Sequence, residues 1–318
     1  MAYEKLKKRV VGPCTSLITP LKKDLSLDEE GLRANIRFVL DGGFKEGTGV
    51  LLAATPGGES PSMSIPLRKK AMAVIADEAV GKLPVETAAH DNSYEAVIDM
   101  MRYAKDLGFD IIQLQAPWYH GTSPDEVFRF YEGVTNAVDI PVMVYNATWL
   151  GILGGVGVEE PLMERLSKLD GVIGFKWSSP NWYTYITCLR HWTERFVFTD
   201  NNYHGLGCQW GAQSFLDVLG QFYPKYPLDL WKLIQARDWD AGIEHLWKLE
   251  IPYYLWIQEM QKQGIHGEGP LVKAPMRLAG RPAGPAIPPY EVKYTEKQLG
   301  QLQQILWKGG VPGVKQPK

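Results

Sequence analysis

The sequence predicts an α/β protein, a (β/α)8 TIM barrel with a C-terminal helical extension, and three observations carry that prediction. Short apolar runs alternate with amphipathic stretches eight times in succession, and such alternation implies parallel strands joined by right-handed crossovers. The length of 318 residues, 45% hydrophobic and 22% charged, accommodates one barrel of about 250 residues and an appendage. The competing architecture, a doubly wound open sheet for a dinucleotide, lacks its signature, since no GxGxxG follows the first strand. After about residue 225 the strand rhythm stops, so residues 1–225 are expected to form the barrel and 226–318 a helical region.

The elements follow from apolar periodicity and punctuation. Strands are expected at Val10 to Ile18, Val50 to Ala54, Val85 to Ala89, Ile111 to Gln115, Pro141 to Tyr145, Val172 to Lys176, Phe196 to Thr199 and near Gln209 to Phe215. Ser26 and Asp28 cap a first helix that runs to about Leu40. Further helices span about Pro66 to Val80, Ser93 to Leu107, Pro124 to Val138, Glu159 to Leu169 and Trp182 to Trp192. Beyond the barrel, Leu228 to Ala236, Trp239 to Gln263 and Thr295 to Leu306 read as helices. The Gly/Pro-rich stretch Gly264 to Pro289 reads as an ordered loop with one short helix.

Composition removes several function classes. The net charge is -2, and the one basic cluster (Lys5, Lys7, Lys8, Arg9) is a short solvated end, so no nucleic-acid partner is expected. No apolar run reaches the roughly 18 residues of a membrane span, and the N-terminus lacks the apolar core of a signal peptide. Cys14, Cys188 and Cys208 are odd in number and widely spaced, which fits a cytoplasmic protein without a disulfide framework. Six scattered histidines, without HExxH or CxxC spacing, give no metal site.

Chemistry concentrates at the strand ends, where barrel enzymes keep their active sites. The run Gly171-Val-Ile-Gly-Phe-Lys-Trp-Ser-Ser179 is an apolar strand that ends in Lys176. Desolvation disfavours the charged form of such a lysine, and its neutral amine is a nucleophile for ketones that forms Schiff bases. A strand-end lysine can also simply snorkel to solvent; its neighbours favour the catalytic reading. One strand earlier, Tyr145 is positioned to shuttle protons. Strand two ends in Ala53-Ala-Thr-Pro-Gly-Gly-Glu-Ser60, a turn in which Thr55, Gly57 and Gly58 can hold an anion such as a carboxylate. Trp177 and Ser178 follow the lysine directly. With Trp149 they are the remaining substrate-binding candidates. His90-Asp-Asn92 after strand three reads as a helix cap more readily than as an acid/base group.

From about Val10 to Tyr290 the chain resembles the dihydrodipicolinate synthase / N-acetylneuraminate lyase family of class I, pyruvate-handling aldolases and dehydratases. The resemblance is carried by Gly12-Pro-Cys-Thr-Ser-Leu-Ile-Thr-Pro20, Gly58-Glu-Ser60, Pro117-Trp-Tyr119, Val144-Tyr-Asn146, Gly174-Phe-Lys-Trp-Ser-Ser179, Leu271-Val-Lys273 and Gly284-Pro-Ala-Ile-Pro-Pro289. It implies that Lys176 forms the imine with the keto carbon and that Tyr145 moves protons. It implies that Tyr119 enters a neighbouring subunit's site, within a homotetramer built as a dimer of dimers. It implies a glycine loop that holds the keto-acid carboxylate, and no cofactor.

Three departures from the family pattern shape the substrate expectation. The family's Thr-Thr pair aligns with Pro56-Gly57, so side-chain help must come from Thr55 or be replaced by backbone N–H groups. The arginine that dihydrodipicolinate synthases place five residues beyond the tyrosine is Leu150 here, which argues against aspartate semialdehyde as acceptor. An apparent insertion runs from Gly151 to Gly157. Finally, Trp118, Trp149, Trp177, Trp182, Tyr183 and Tyr185 crowd the expected mouth, which suits a bulky or aromatic aldehyde. The expected function is a pyruvate-dependent Schiff-base lyase on small molecules. The alternatives are a 2-keto-3-deoxy acid dehydratase or hydratase using the same imine, and a homologue that binds ligand without catalysis.

Overall fold

The eight strands close into one barrel in the order β1-β2-β3-β4-β5-β6-β7-β8. They are β1 (Gly12–Ser16), β2 (Val50–Ala53), β3 (Val85–Ala88), β4 (Ile111–Leu114), β5 (Val142–Ala147), β6 (Val172–Ser178), β7 (Val197–Asp200) and β8 (Ser214–Asp217). The computed structural model describes residues 3–150 and 157–317, so most of the expected insertion lies outside the described residues. Pairing from β3 through β8 is parallel throughout. Nearly every strand residue is buried, as parallel sheets covered on both faces require.

A short α1 (Glu4–Lys7) precedes the barrel. Between the strands stand α2 (Glu29–Asp41), α3 (Ile65–Ala79), α4 (Tyr94–Asp106), α5 (Pro124–Ala137), α6 (Glu160–Leu166) and α7 (Trp182–Trp192). The starts of α2, α4 and α5 are set by side-chain caps: Asp28 accepts from Gly31, Ser93 from Ala96, and Ser123 forms a capping box with Glu126. Each cap takes up a backbone N–H that has no partner inside the helix. The described chain continues with α8 (Lys225–Ala236), α9 (Trp239–Lys248), α10 (Glu250–Lys262), α11 (Glu268–Leu278) and α12 (Glu296–Lys308).

Two details differ from the sequence expectation. The single helix expected over Trp239 to Gln263 is two, α9 and α10, broken at Leu249. Pro252 explains the break: inside a continuous helix its ring would strike the carbonyl of Lys248 and remove a hydrogen bond. The eighth strand begins at Ser214 rather than Gln209, because Leu206–Trp210 forms a 3-10 turn.

By its internal contacts the chain divides into two compact units. One comprises Met1–Cys14, Lys45–Leu51 and Val80–Leu216, the other Thr15–Phe44, Leu52–Ala79 and Asp217–Lys318. The first carries β3 to β7 with α4 to α7. The second carries α2, α3 and α8 to α12. Its core is a cluster that includes Phe222, Tyr253, Trp256, Met260, Leu302 and Leu306. Tyr253 and Trp256 stack within it at 6.3 Å and 14°.

Candidate active site

Strand β6 sets the geometry of the site. Its side chains alternate between faces. Phe175 turns outward to meet Phe196 edge-on at 4.9 Å. Trp177 turns the same way and stacks on Tyr185 of α7 at 5.3 Å and 24°. Gly174, Lys176 and Ser178 therefore share the opposite, interior face. Gly174 has a steric reason to be glycine, since a Cβ there would lie 2.3 Å from the carbonyl oxygen of Val197 on β7.

Lys176 pairs in register with Tyr145 of β5 and with Thr199 of β7. Its Nζ lies 4.2 Å from the centre of the Tyr145 ring, and both residues are buried. The lysine does not snorkel to solvent. A cation held on an aromatic face inside a barrel is favoured by the ring quadrupole. The same contact sets the phenol beside the nitrogen that would react. Ser178 is buried on the same face, and its Oγ accepts a hydrogen bond of 2.8 Å from Asn201. Asn146 turns outward, and its Oδ1 accepts from Val158 N at 3.0 Å, which ties the returning chain to the end of β5.

His90 is the unexpected member of the group. The cap of α4 is Ser93, while Asp91 accepts from Ser93 N. His90 is buried, and its ring centre is 5.9 Å from that of Tyr145. Its Nδ1 accepts from Gln115 N at 3.2 Å, so the neutral ring carries its proton on Nε2. A second missed residue is Glu86 on β3, fully buried, whose carboxyl burial pushes up to about 7 against the pull of Lys176 and Gln113. The signal was present in the sequence, because a carboxylate inside a strand that must be buried on both faces needs an explanation.

Other expected residues are placed differently. Trp177 is 0% exposed, in the wall between β6 and α7, so it cannot line the interior; the period-two alternation that turns Lys176 inward turns Trp177 outward. Tyr185 shares its burial. Trp149 is 59% exposed and Tyr119 is 79% exposed. Among the described residues, Tyr119 packs edge-on against His120 at 5.0 Å. Its loop is nonetheless ordered by Asn92, whose Oδ1 accepts from the backbone N–H of Trp118 and Tyr119.

The glycine turn belongs to the other unit. Pro56–Gly58 forms a 3-10 turn in which buried Thr55 stands extended at the cap. The carbonyl of Thr55 accepts from Gly58 at 2.9 Å and from Ser60 at 3.1 Å. The Gly58 donor is thus engaged inside the turn. A Cβ on Gly57 would lie 2.7 Å from Ser16 Oγ, and one on Gly58 would lie 2.9 Å from the carbonyl oxygen of Leu17. The second threonine of the resemblance, at Gly57, would press against Ser16. Glu59 fixes it from below: buried, it pairs with fully buried Lys273 of α11 and accepts from Ile287 N at 2.8 Å. Lys273 also donates to the carbonyl of Pro285 at 2.6 Å.

A profile of the Dihydrodipicolinate synthetase family matches residues 9–306. The 4-hydroxy-tetrahydrodipicolinate synthase of Methanothermobacter thermautotrophicus is 30% identical over 173 residues, 54% of this chain and 59% of that protein. The chain thus spans about three fifths of that relative's length. The corresponding synthase of Methanospirillum hungatei is 25% identical over 301 residues, 93% of this chain and 98% of that protein. Among solved structures, N-acetylneuraminate lyase from Mycoplasma synoviae superimposes with a TM-score of 0.79 at 21% identity, covering 97% of this chain and 99% of that one. YagE of E. coli K12, a prophage protein of the dihydrodipicolinic acid synthase family solved in complex with pyruvate, gives 0.82 at 21% identity, covering 95% and 99%. These two likenesses concern the fold. The profile match extends from β1 to the last helix, and the chain belongs to the dihydrodipicolinate synthetase family.

Proposed function

We propose that this chain is a Schiff-base-forming lyase that makes or breaks a C–C bond next to a 2-oxo acid such as pyruvate. The observation that carries the reading is the buried Lys176 with its Nζ 4.2 Å from the ring centre of its register partner Tyr145. In this reading the Lys176 amine attacks the keto carbon and loses water to give an iminium, which accepts the electron pair of the breaking C–C bond. Tyr145, with His90 beside it, carries the protons of these steps. Membership of the family and the pyruvate complex of YagE are consistent with this.

The acceptor we propose is a bulky or aromatic aldehyde rather than aspartate semialdehyde. Support comes from Leu150 in place of the arginine and from the exposed aromatic side chains of Trp149 and Tyr183. We further propose a cytoplasmic homotetramer in which Tyr119, 79% exposed on a tied loop, is covered by a second copy; light scattering on Tyr119→Ala and wild type tests this.

The deciding experiment is intact-protein mass after incubation with pyruvate and borohydride. A reduced pyruvate adduct on the wild type and none on Lys176→Ala is expected. An adduct that persists in Lys176→Ala, or none on the wild type with any 2-oxo acid, would overturn the reading. Product analysis with aryl-substituted substrates then separates C–C cleavage from loss of water.

A further inference from the structure

The barrel interior contains a carboxylate that no step above uses. Glu86 lies on β3, in the run Val85-Glu-Thr-Ala88. Ala88 pairs with Gln113, Gln113 with Met143, and two residues onward Tyr145 pairs with Lys176. Side chains alternate along each strand, so Glu86, Gln113, Tyr145 and Lys176 face the same interior. Among the described residues neither Glu86 oxygen meets a well-aligned hydrogen-bond donor, although the Gln113 amide lies alongside. The charged groups that act on Glu86 are Lys176 from β6 and Asp110 from the turn before β4. Tyr145 of β5 and His90 beyond β3 are the other titratable groups placed on this face by the register and the alternation. A buried carboxylate without good donors is costly unless a cation answers it; burial pushes Glu86 up, and Lys176 is the cation that pulls against it.

Resting on the lysine-imine reading, we propose that Glu86 is a positioning residue that acts through Lys176, as the fixed counter-charge to the cation its nitrogen carries. The chemistry requires such a cation on both sides of the step. The Lys176 ammonium and a keto carbonyl give an iminium and one water. The C=O bond breaks and the C=N bond forms. Two of the nitrogen's protons leave with the oxygen, and the nitrogen keeps a single positive charge. Nothing is oxidised or reduced. Above about pH 7, where Glu86 is ionised, one carboxylate therefore serves the ammonium and the iminium alike. By favouring both cations it raises the pH at which the amine becomes free and the pH at which the iminium loses its proton.

The test is pyruvate trapping with cyanoborohydride, which reduces only the protonated imine, followed by mass across pH for wild type, Glu86→Gln and Glu86→Asp. The wild-type yield follows a bell. Its rising limb reports the amine and its falling limb the iminium. In Glu86→Gln both limbs are expected to move to lower pH by about one unit, the effect of removing an opposite charge. A purely structural role would lower the yield without moving either limb. Trapping on wild type with an unmoved bell in Glu86→Gln overturns the counter-charge and leaves the lysine-imine reading standing. No trapping on wild type overturns that reading itself. Should Glu86→Gln fail to fold, Glu86→Asp carries the test: its shortened arm weakens the pairing and shifts both limbs the same way by less, and an unshifted bell overturns the proposal.

Discussion

Lys176 and Tyr145 are register partners across β5 and β6, with the lysine Nζ 4.2 Å from the centre of the tyrosine ring. In the proposed reading the ring face and the hydroxyl have separable duties. Tyr145→Phe keeps the face and its hold on the cation but removes the proton carrier. Pyruvate adduct formation is expected to persist, slowed, while turnover falls by roughly 10²- to 10⁴-fold, the usual range for a general acid/base. Parallel trapping and steady-state rates check this; equal loss in both would contradict the division of labour.

The Glu59–Lys273 pair is buried and anchors the glycine turn to α11. Burial pushes the Lys273 amine down, and Glu59 opposes that shift. Glu59→Ala or Lys273→Ala leaves one buried charge unanswered and is expected to cost about 3–5 kcal/mol. Replacing both by apolar residues of similar volume is expected to cost far less than the sum of the single changes. Urea unfolding of the four proteins in the cycle measures this.

Gly174→Ala is the smallest change expected to disturb the barrel. Its Cβ would lie 2.3 Å from the Val197 carbonyl oxygen, a backbone atom that cannot swing away. A loss of about 1–3 kcal/mol or more is expected from overpacking, visible as a lower thermal midpoint. Trapping at Lys176, two residues on, should decline with it.

Asp217 gives the fold a pH dependence. Its carboxylate accepts from Thr15, Leu219 and Gly220, yet burial, with Glu250 nearby, pushes it up from 3.8 to about 7. A carboxyl raised in the folded state binds more protons there than in the unfolded chain. Its stabilising contribution is therefore complete below the unfolded value of 3.8 and is lost as pH rises to about 7. The slope from this one group is at most about 1.4 kcal/mol per pH unit. Urea midpoints at several pH values should decline through this window in the wild type and decline less in Asp217→Asn.

Much of this was legible in the sequence for physical reasons that differ by residue. β6 was read because its apolar run is continuous and ends in a lysine. The barrel was read because alternation of strand and helix leaves few other topologies. Trp177 neighbours the candidate lysine in the chain, but its parity assigns it to the opposite face, against Tyr185. Pro252 marks the division of α9 from α10. Glu86 and His90 reach Lys176 and Tyr145 only through barrel curvature and register, which one chain of letters does not display. Tyr119 stands out by its motif, and on this chain its ring is 79% exposed.

Asn92 holds the backbone of Trp118 and Tyr119 through one oxygen. A ring offered from a tethered main chain has only its two side-chain torsions left to lose when something covers it. The ordering entropy of association, a large opposing term when a loose loop must be fixed on contact, is at this position largely met during folding. Asn92→Ala should therefore slow and weaken whatever contact Tyr119 makes while leaving the ring itself intact.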